Sequence, residues 1–166
     1  MKRILTIALA ALTVLAFAGC QKDDTTSTTA GTAAEKTTEQ AQTFDAEAAK
    51  ASILSQVTFD KEVVELKAEN AITEYSVSES GVKCLAYNAA PGTSADQLVI
   101  FEAPDEATAK AVLAEAQTYI SEMAGIYESY APEEAAKLNN AVIAQNGNFV
   151  FVVVAADSTL AAAIVK

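Results

Sequence analysis

The sequence predicts an α+β fold: a mainly antiparallel sheet with a long amphipathic helix packed on one face, as a two-layer sandwich. Three observations predict it. A strongly apolar stretch, Leu98-Val-Ile-Phe101, is followed at Pro104-Asp105 by the start of a long run with helical periodicity. A second apolar run, Phe149 to Ala155, is preceded by Val142 to Gln145, and Asn146-Gly147 between them signals a tight hairpin. The order helix, strands, long helix, hairpin, helix lacks the strict strand–helix alternation of a doubly wound parallel sheet.

The elements follow in chain order. Met1-Lys2-Arg3 is a short positive region, and Ile4 to Ala18 is apolar apart from Thr6 and Thr13. At about 15 residues this segment is shorter than the roughly 20 that a bilayer span needs, and it fits the apolar core of a secretory signal. Small residues then lead to a cysteine in Leu15-Ala-Phe-Ala-Gly-Cys20, which resembles the lipobox of bacterial lipoproteins. Residues 1–19 are therefore expected to be a signal peptide and Cys20 a lipidated N-terminus anchoring the chain to the membrane. Phe17 stands where such boxes carry Leu, and Ala16-Phe17-Ala18 is itself an ordinary cleavage site, whose use would leave Cys20 as a free thiol. From Gln21 to Thr43 there is no large apolar residue, so residues 20–43 are expected to form a disordered tether. As a coil of roughly 22 residues it would span about 25 Å.

One domain, residues 44–166, remains. Asp45 is placed to cap a helix in which Ala46, Ala49, Ile53 and Val57 recur at helical spacing. Asp60 to Ala68 reads as a further helical turn through Val63, Val64 and Leu66, and Ala71 to Val77 as an extended segment. Val82 to Asn88 reads as a strand, and Ala90-Pro-Gly-Thr-Ser94 as a loop. In the long helix, Ala109, Val112, Leu113, Ala116, Ile120, Met123 and Tyr127 form one stripe. Pro132-Glu133-Glu134 opens a short helix, and Asp157 or Ser158 caps a last one carrying Leu160, Ile164 and Val165. The runs Leu98–Phe101 and Phe149–Ala155 are apolar at every position, so both faces of these strands must be covered. The long helix covers one face. For the other, the segments near Ile53-Leu54, Val63-Val64 and Leu160–Val165 predict partial cover, leaving an apolar patch for an envelope partner or a second copy.

Composition excludes several functions. The formal net charge is -11, and loss of Lys2 and Arg3 with the signal makes it two units more negative. No basic face is available to gather phosphates, which argues against nucleic acid as a partner. There is no histidine, and the only arginine is Arg3. No glycine fingerprint and no Asp-rich cation loop occurs, so no cofactor and no metal are expected. Cys84 has no histidine to activate it and reads as a buried, inert thiol. Ser94 is a turn hydroxyl unless a lysine such as Lys83 or Lys110 pairs with it. Asp96 stands at the entrance to the apolar strand. There it either bonds nearby backbone in the turn or offers a polar binding contact. Tyr119, Tyr127 and Tyr130 are candidates for an aromatic ledge. Ser94, Asp96 and Tyr130 are thus the candidate binding residues, with no catalytic residue identified.

Gly92-Thr-Ser-Ala-Asp-Gln-Leu-Val-Ile-Phe-Glu102, Tyr130-Ala-Pro-Glu133, Asn140-Ala-Val-Ile143 and Gly147-Asn-Phe-Val150 together resemble an uncharacterised domain, domain-of-unknown-function family 4358. It is found in surface lipoproteins of low-GC Gram-positive bacteria. The resemblance implies an extracytoplasmic lipoprotein with a single folded domain, and it carries over no activity and no catalytic residue. The expected function is that of a non-catalytic interaction module with a protein or cell-envelope partner. A small-ligand-binding lipoprotein is the alternative, and an enzyme the less favoured one.

Overall fold

Leu98–Phe101 falls in the central strand of a five-stranded antiparallel sheet, and Phe149–Val154 forms one of its two neighbours. The computed structural model describes residues 44–92 and 94–166. In chain order the elements are α1 (Ala46–Gln56), β1 (Val63–Leu66), α2 (Ala68–Glu74), β2 (Lys83–Ala89), β3 (Gln97–Glu102), α3 (Glu106–Tyr127), α4 (Pro132–Asn139), β4 (Val142–Asn146), β5 (Phe149–Val154) and α5 (Thr159–Ile164). The sheet order is β1-β2-β3-β5-β4. Every neighbouring pair is antiparallel, with Val99 opposite Ala86 on one side and Val152 on the other. The mainly antiparallel α+β fold is as the apolar pattern predicts.

The long helix forms where its stripe says it should. Asp105 Oδ1 accepts the Thr108 amide at 2.7 Å, closing the first turn. Ala109, Val112, Ala116, Ile120 and Ala124 are buried against Val99, Phe101, Val150, Val152 and Val154. Small alanines at three of those five positions let the helix axis lie close to the sheet. The hairpin is also where it is expected, displaced by one residue: Asn146 pairs with Phe149, so the central turn residues are Gly147 and Asn148. Gly147 has φ 56°, which fits the glycine-first turn that matches strand twist.

Two short segments differ from expectation. Residues 63–66 form the edge strand β1 instead of a helical turn, and residues 68–74 form helix α2 instead of an extended segment. Val63, Val64 and Leu66 suit either period, and pairing of Val63 with Ala89 through to Leu66 with Ala86 decides for the strand. In α2 the hydroxyl and aromatic residues favour strand locally. Ala71 and Tyr75 nevertheless lie four apart, one helical turn, and both are fully buried on the α3 side of the sheet.

On the reverse face the cover is partial, as expected: it closes over Phe151 and Val153 and leaves Phe149 and Leu85 half-buried. Val150, Val152 and Val154 on one face and Phe151 and Val153 on the other are all at 0% exposure. The cover is α1, through Ala49, Ile53 and Val57, together with α5, through Ala161 and Val165. Phe44 adds an aromatic edge against Phe151, with ring centroids 5.2 Å apart. Asp45 caps α1 by accepting the Ala48 amide at 3.0 Å. Thr58 and Asp157 form an isolated bridge between the two chain ends that make this cover. The large exposed apolar residues among those described, Val64, Ile126, Tyr130 and Leu160, sit on four different elements or loops.

Candidate functional site

The loop into β3 is tightly built. Gly92 has φ 76° and open space where a Cβ would stand, so it is needed for its left-handed backbone and not for close packing. The Ala89 amide donates to the Asp96 carbonyl at 2.9 Å and closes the loop. Ser94, Ala95, Asp96 and Gln97 are all buried.

Asp96 has distant partners instead of the nearby backbone expected for a turn residue. Its Oδ2 accepts the Lys61 amide at 2.8 Å, and its Oδ1 accepts Lys137 Nζ at 3.2 Å. Ser94 Oγ donates to Glu134 Oε2 at 2.9 Å and accepts from Lys137 Nζ at 3.0 Å. Glu134 Oε2 also accepts the Ala95 amide at 2.7 Å. Lys137 Nζ further pairs with Asp60 Oδ2 at 2.7 Å and Glu134 Oε1 at 3.1 Å. One ammonium therefore holds three carboxylates and a hydroxyl together from three segments of the chain. Helix α4 can deliver it because Glu134 and Lys137 lie three apart on one side, while Ala135 and Leu138 are buried.

The electrostatics follow from these contacts. Burial alone would push the Lys137 ammonium down, but its bonds to Asp60, Glu134 and Asp96 outweigh that and hold it well above the usual lysine value. Burial would raise the Glu134 carboxyl, and the Ala95 amide, Lys137 and Ser94 reverse the sign and hold it below the usual glutamate value. A Ser–Lys pair is present, though with Lys137 and not with Lys83, which pairs with Glu102 across the sheet at 3.3 Å. A lysine acts as a base toward serine only when its pKa is depressed. Lys137 is shifted the other way, so the pair is a structural tie.

Cys84 lies on β2, buried, and burial pushes its thiol up to about 12. At pH 8 its thiolate fraction is then tiny. With Cys20→Ser removing the other thiol, Cys84 in the full chain should react with a disulfide reagent at least about a hundredfold more slowly when native than when unfolded in urea. Equal rates would show an accessible, activated cysteine.

Tyr130 is not brought into this cluster. It is 64% exposed on the link between α3 and α4, with its ring 5.0 Å from that of Tyr127. Tyr127 and Tyr119 do line a cleft of about 270 Å³ beside the cluster, together with Asn88, Leu66, Met123 and Glu74. Among the described residues, no group of three or more acidic or thiol side chains is placed to hold a metal ion. Cys20, with the expected signal and tether, lies outside the described residues.

Asp60, Glu134 and Lys137 escape a reading of the sequence because each is one unremarkable charge among many. Glu134 and Lys137 at i,i+3 after a helix-opening proline were the one local signal. No curated protein and no solved structure matches the chain. A family model described as a domain of unknown function, DUF4358, matches residues 56–155, which runs from the end of α1 through β5 and includes the whole cluster. The chain belongs to that family of uncharacterised domains.

Proposed function

We propose that the protein is a lipid-anchored, extracytoplasmic binding module that carries out no covalent chemistry of its own. The observation that carries the reading is the state of its reactive groups. Ser94, Asp96, Glu134 and Lys137 are engaged with one another inside the fold, and the Cys84 thiol is held protonated. The charge that remains at the surface is mainly acidic, with Tyr130 exposed, and suits contact with a protein or cell-envelope partner. The anchor is supported by the apolar segment Ile4 to Ala18 and the small residues before Cys20.

Mass spectrometry of the mature chain should find a diacylglyceryl adduct on Cys20, and Cys20→Ser should release the protein from the membrane fraction. An unmodified chain beginning at Gly19 would overturn the anchor. A second reading, a small-ligand-binding lipoprotein, is favoured by the cleft lined by Tyr119 and Tyr127.

A further inference from the structure

The two edges of the sheet are built differently. At one edge β1 carries Glu65 and is flanked by Lys61, Glu62 and Lys67, charges of the kind that keep an edge from pairing. At the other, β4 has no charge, no proline and no bulge. Its residues are Val, Ile, Ala, Gln and Asn, in unbroken register with β5. From Leu138 to Ala156 the chain carries no charged residue at all.

The register fixes where the main-chain groups of β4 point. The Ala103 amide donates to the Asn148 carbonyl at 2.9 Å, so Val150, Val152 and Val154 are the residues of β5 that bond to β3. Phe149, Phe151 and Val153 then bond to Asn146, Ala144 and Val142. Ile143 and Gln145 are left with their N–H and C=O groups directed along the open edge. Among the described residues, no main-chain bond from another element reaches them.

We infer that β4 pairs with β4 of a second copy, antiparallel about a two-fold axis through Ala144, so that two sheets become one. In this register Ile143 and Gln145 of one copy face Gln145 and Ile143 of the other. Each couple exchanges two main-chain hydrogen bonds. The two Ala144 residues meet at the axis, a position where Cα atoms approach to about 4.5 Å and a small side chain fits. Charge argues for this occupant. A chain at -11 repels its own copies, and here two of them meet with no carboxylate on either strand. A basic partner strand would find no ion pair on β4 and many elsewhere on the molecule. The contact is small, so a dissociation constant on the order of 10–100 μM is expected.

The inference rests on neither the anchor nor an envelope partner. The test is sedimentation of the full chain in density-matched non-ionic detergent, from tenfold below to tenfold above that concentration. The parent should pass from monomer to dimer. Gln145→Pro removes an outward amide without touching the ladder to β5, so it should weaken dimerisation at least about tenfold while circular dichroism stays unchanged. Copies that merely share a micelle would not respond to it. The register is read with thiols: under mild oxidation Ala144→Cys should form an intermolecular disulfide. Gln145→Cys should not, because its two copies lie beyond the roughly 7 Å that Cα atoms of a disulfide allow. The parent, whose Cys84 is buried, should form none. Should Gln145→Pro unfold the domain, the two thiol variants still decide.

A chain that stays monomeric throughout overturns the proposal and leaves the edge to a strand of another protein. A dimer that Gln145→Pro does not weaken, or one in which both thiol variants cross-link equally, overturns it by placing the contact elsewhere. Any of these failures leaves the binding-module reading and the Cys20 anchor standing. Conversely, an unacylated chain that still dimerises and cross-links through Ala144→Cys keeps the edge and loses the anchor.

Discussion

Lys137→Met is expected to destabilise the protein by about 3–5 kcal/mol, the cost of leaving buried carboxylate charge without its cation. Lys137 is only 10% exposed and Asp96 not at all, so solvent cannot take over the role of the ammonium. Denaturant unfolding followed by circular dichroism measures the loss. Adding Asp96→Asn to Lys137→Met should recover part of it, because the stranded charge is then gone. A double variant less stable than the single one would show that the Lys61 amide and the fold around it, not the charge, require Asp96.

The pH dependence has a defined sign. Glu134 is held below its usual value, so its contribution in the parent is present above about pH 4.3 and is lost as pH falls through the lower folded value. Lys137 is held above its usual value, so its contribution is complete below about pH 10.4 and is lost only as pH rises beyond that. In Lys137→Met the carboxylates repel one another, and protonation relieves them. The stability gap between parent and variant should therefore narrow as the pH drops toward 4. A gap constant from pH 7 to pH 4 would mean the ammonium contributes packing alone.

Phe151→Ala should cost about 3–5 kcal/mol, the range for removing a fully buried phenylalanine from a packed core. Its ring is completely buried between α1, α5 and the sheet, with Phe44 set edge-on against it. The reference is Leu160→Ala on α5, which is 50% exposed and should change stability by less than about 0.5 kcal/mol. Chemical unfolding of the two variants side by side decides whether the reverse face is a true core. A small loss at Phe151 would mean that α1 and α5 detach readily and that the face is open in solution.

Much of this fold was legible in the sequence because its strongest elements carry their own signals. Asp105 and the stripe after it specify α3, and the apolar run on either side of Asn146-Gly147 specifies the hairpin. The requirement that β3 and β5 be covered on both faces was also readable. How complete that cover is was not, because it depends on whether short, alanine-rich α1 and α5 lie flat on the sheet. The segments at 63–66 and 68–74 are strand and helix where the local pattern suggests helix and strand. Each is too short for periodicity to decide, and sheet pairing in one case and burial of Tyr75 in the other settled the matter. Ser94 and Asp96 drew notice as polar residues beside an apolar strand. Their partners Asp60, Glu134 and Lys137 are contributed by segments about 35–45 residues away or on the far side of the cluster, and no local pattern links them.

The sheet order has a consequence for how the domain comes together. β1, β2 and β3 pair in chain order, with α2 carried between β1 and β2, and β4 with β5 forms a local hairpin, so either piece pairs strands that are consecutive in the chain. The seam between β3 and β5 is different, because Glu102 must meet Phe149 only after α3, α4 and β4 have intervened. Closing a loop of that length costs chain entropy on the order of 3 kcal/mol beyond the fixed terms. The seam repays it on both sides at once, since Val99 and Phe101 meet Val150 and Val152 beneath α3 while Leu98 and Ile100 meet Phe151 and Val153 beneath α1 and α5. Two cores thus depend on one closing event, which couples the helices on opposite faces of the sheet into a single cooperative unit.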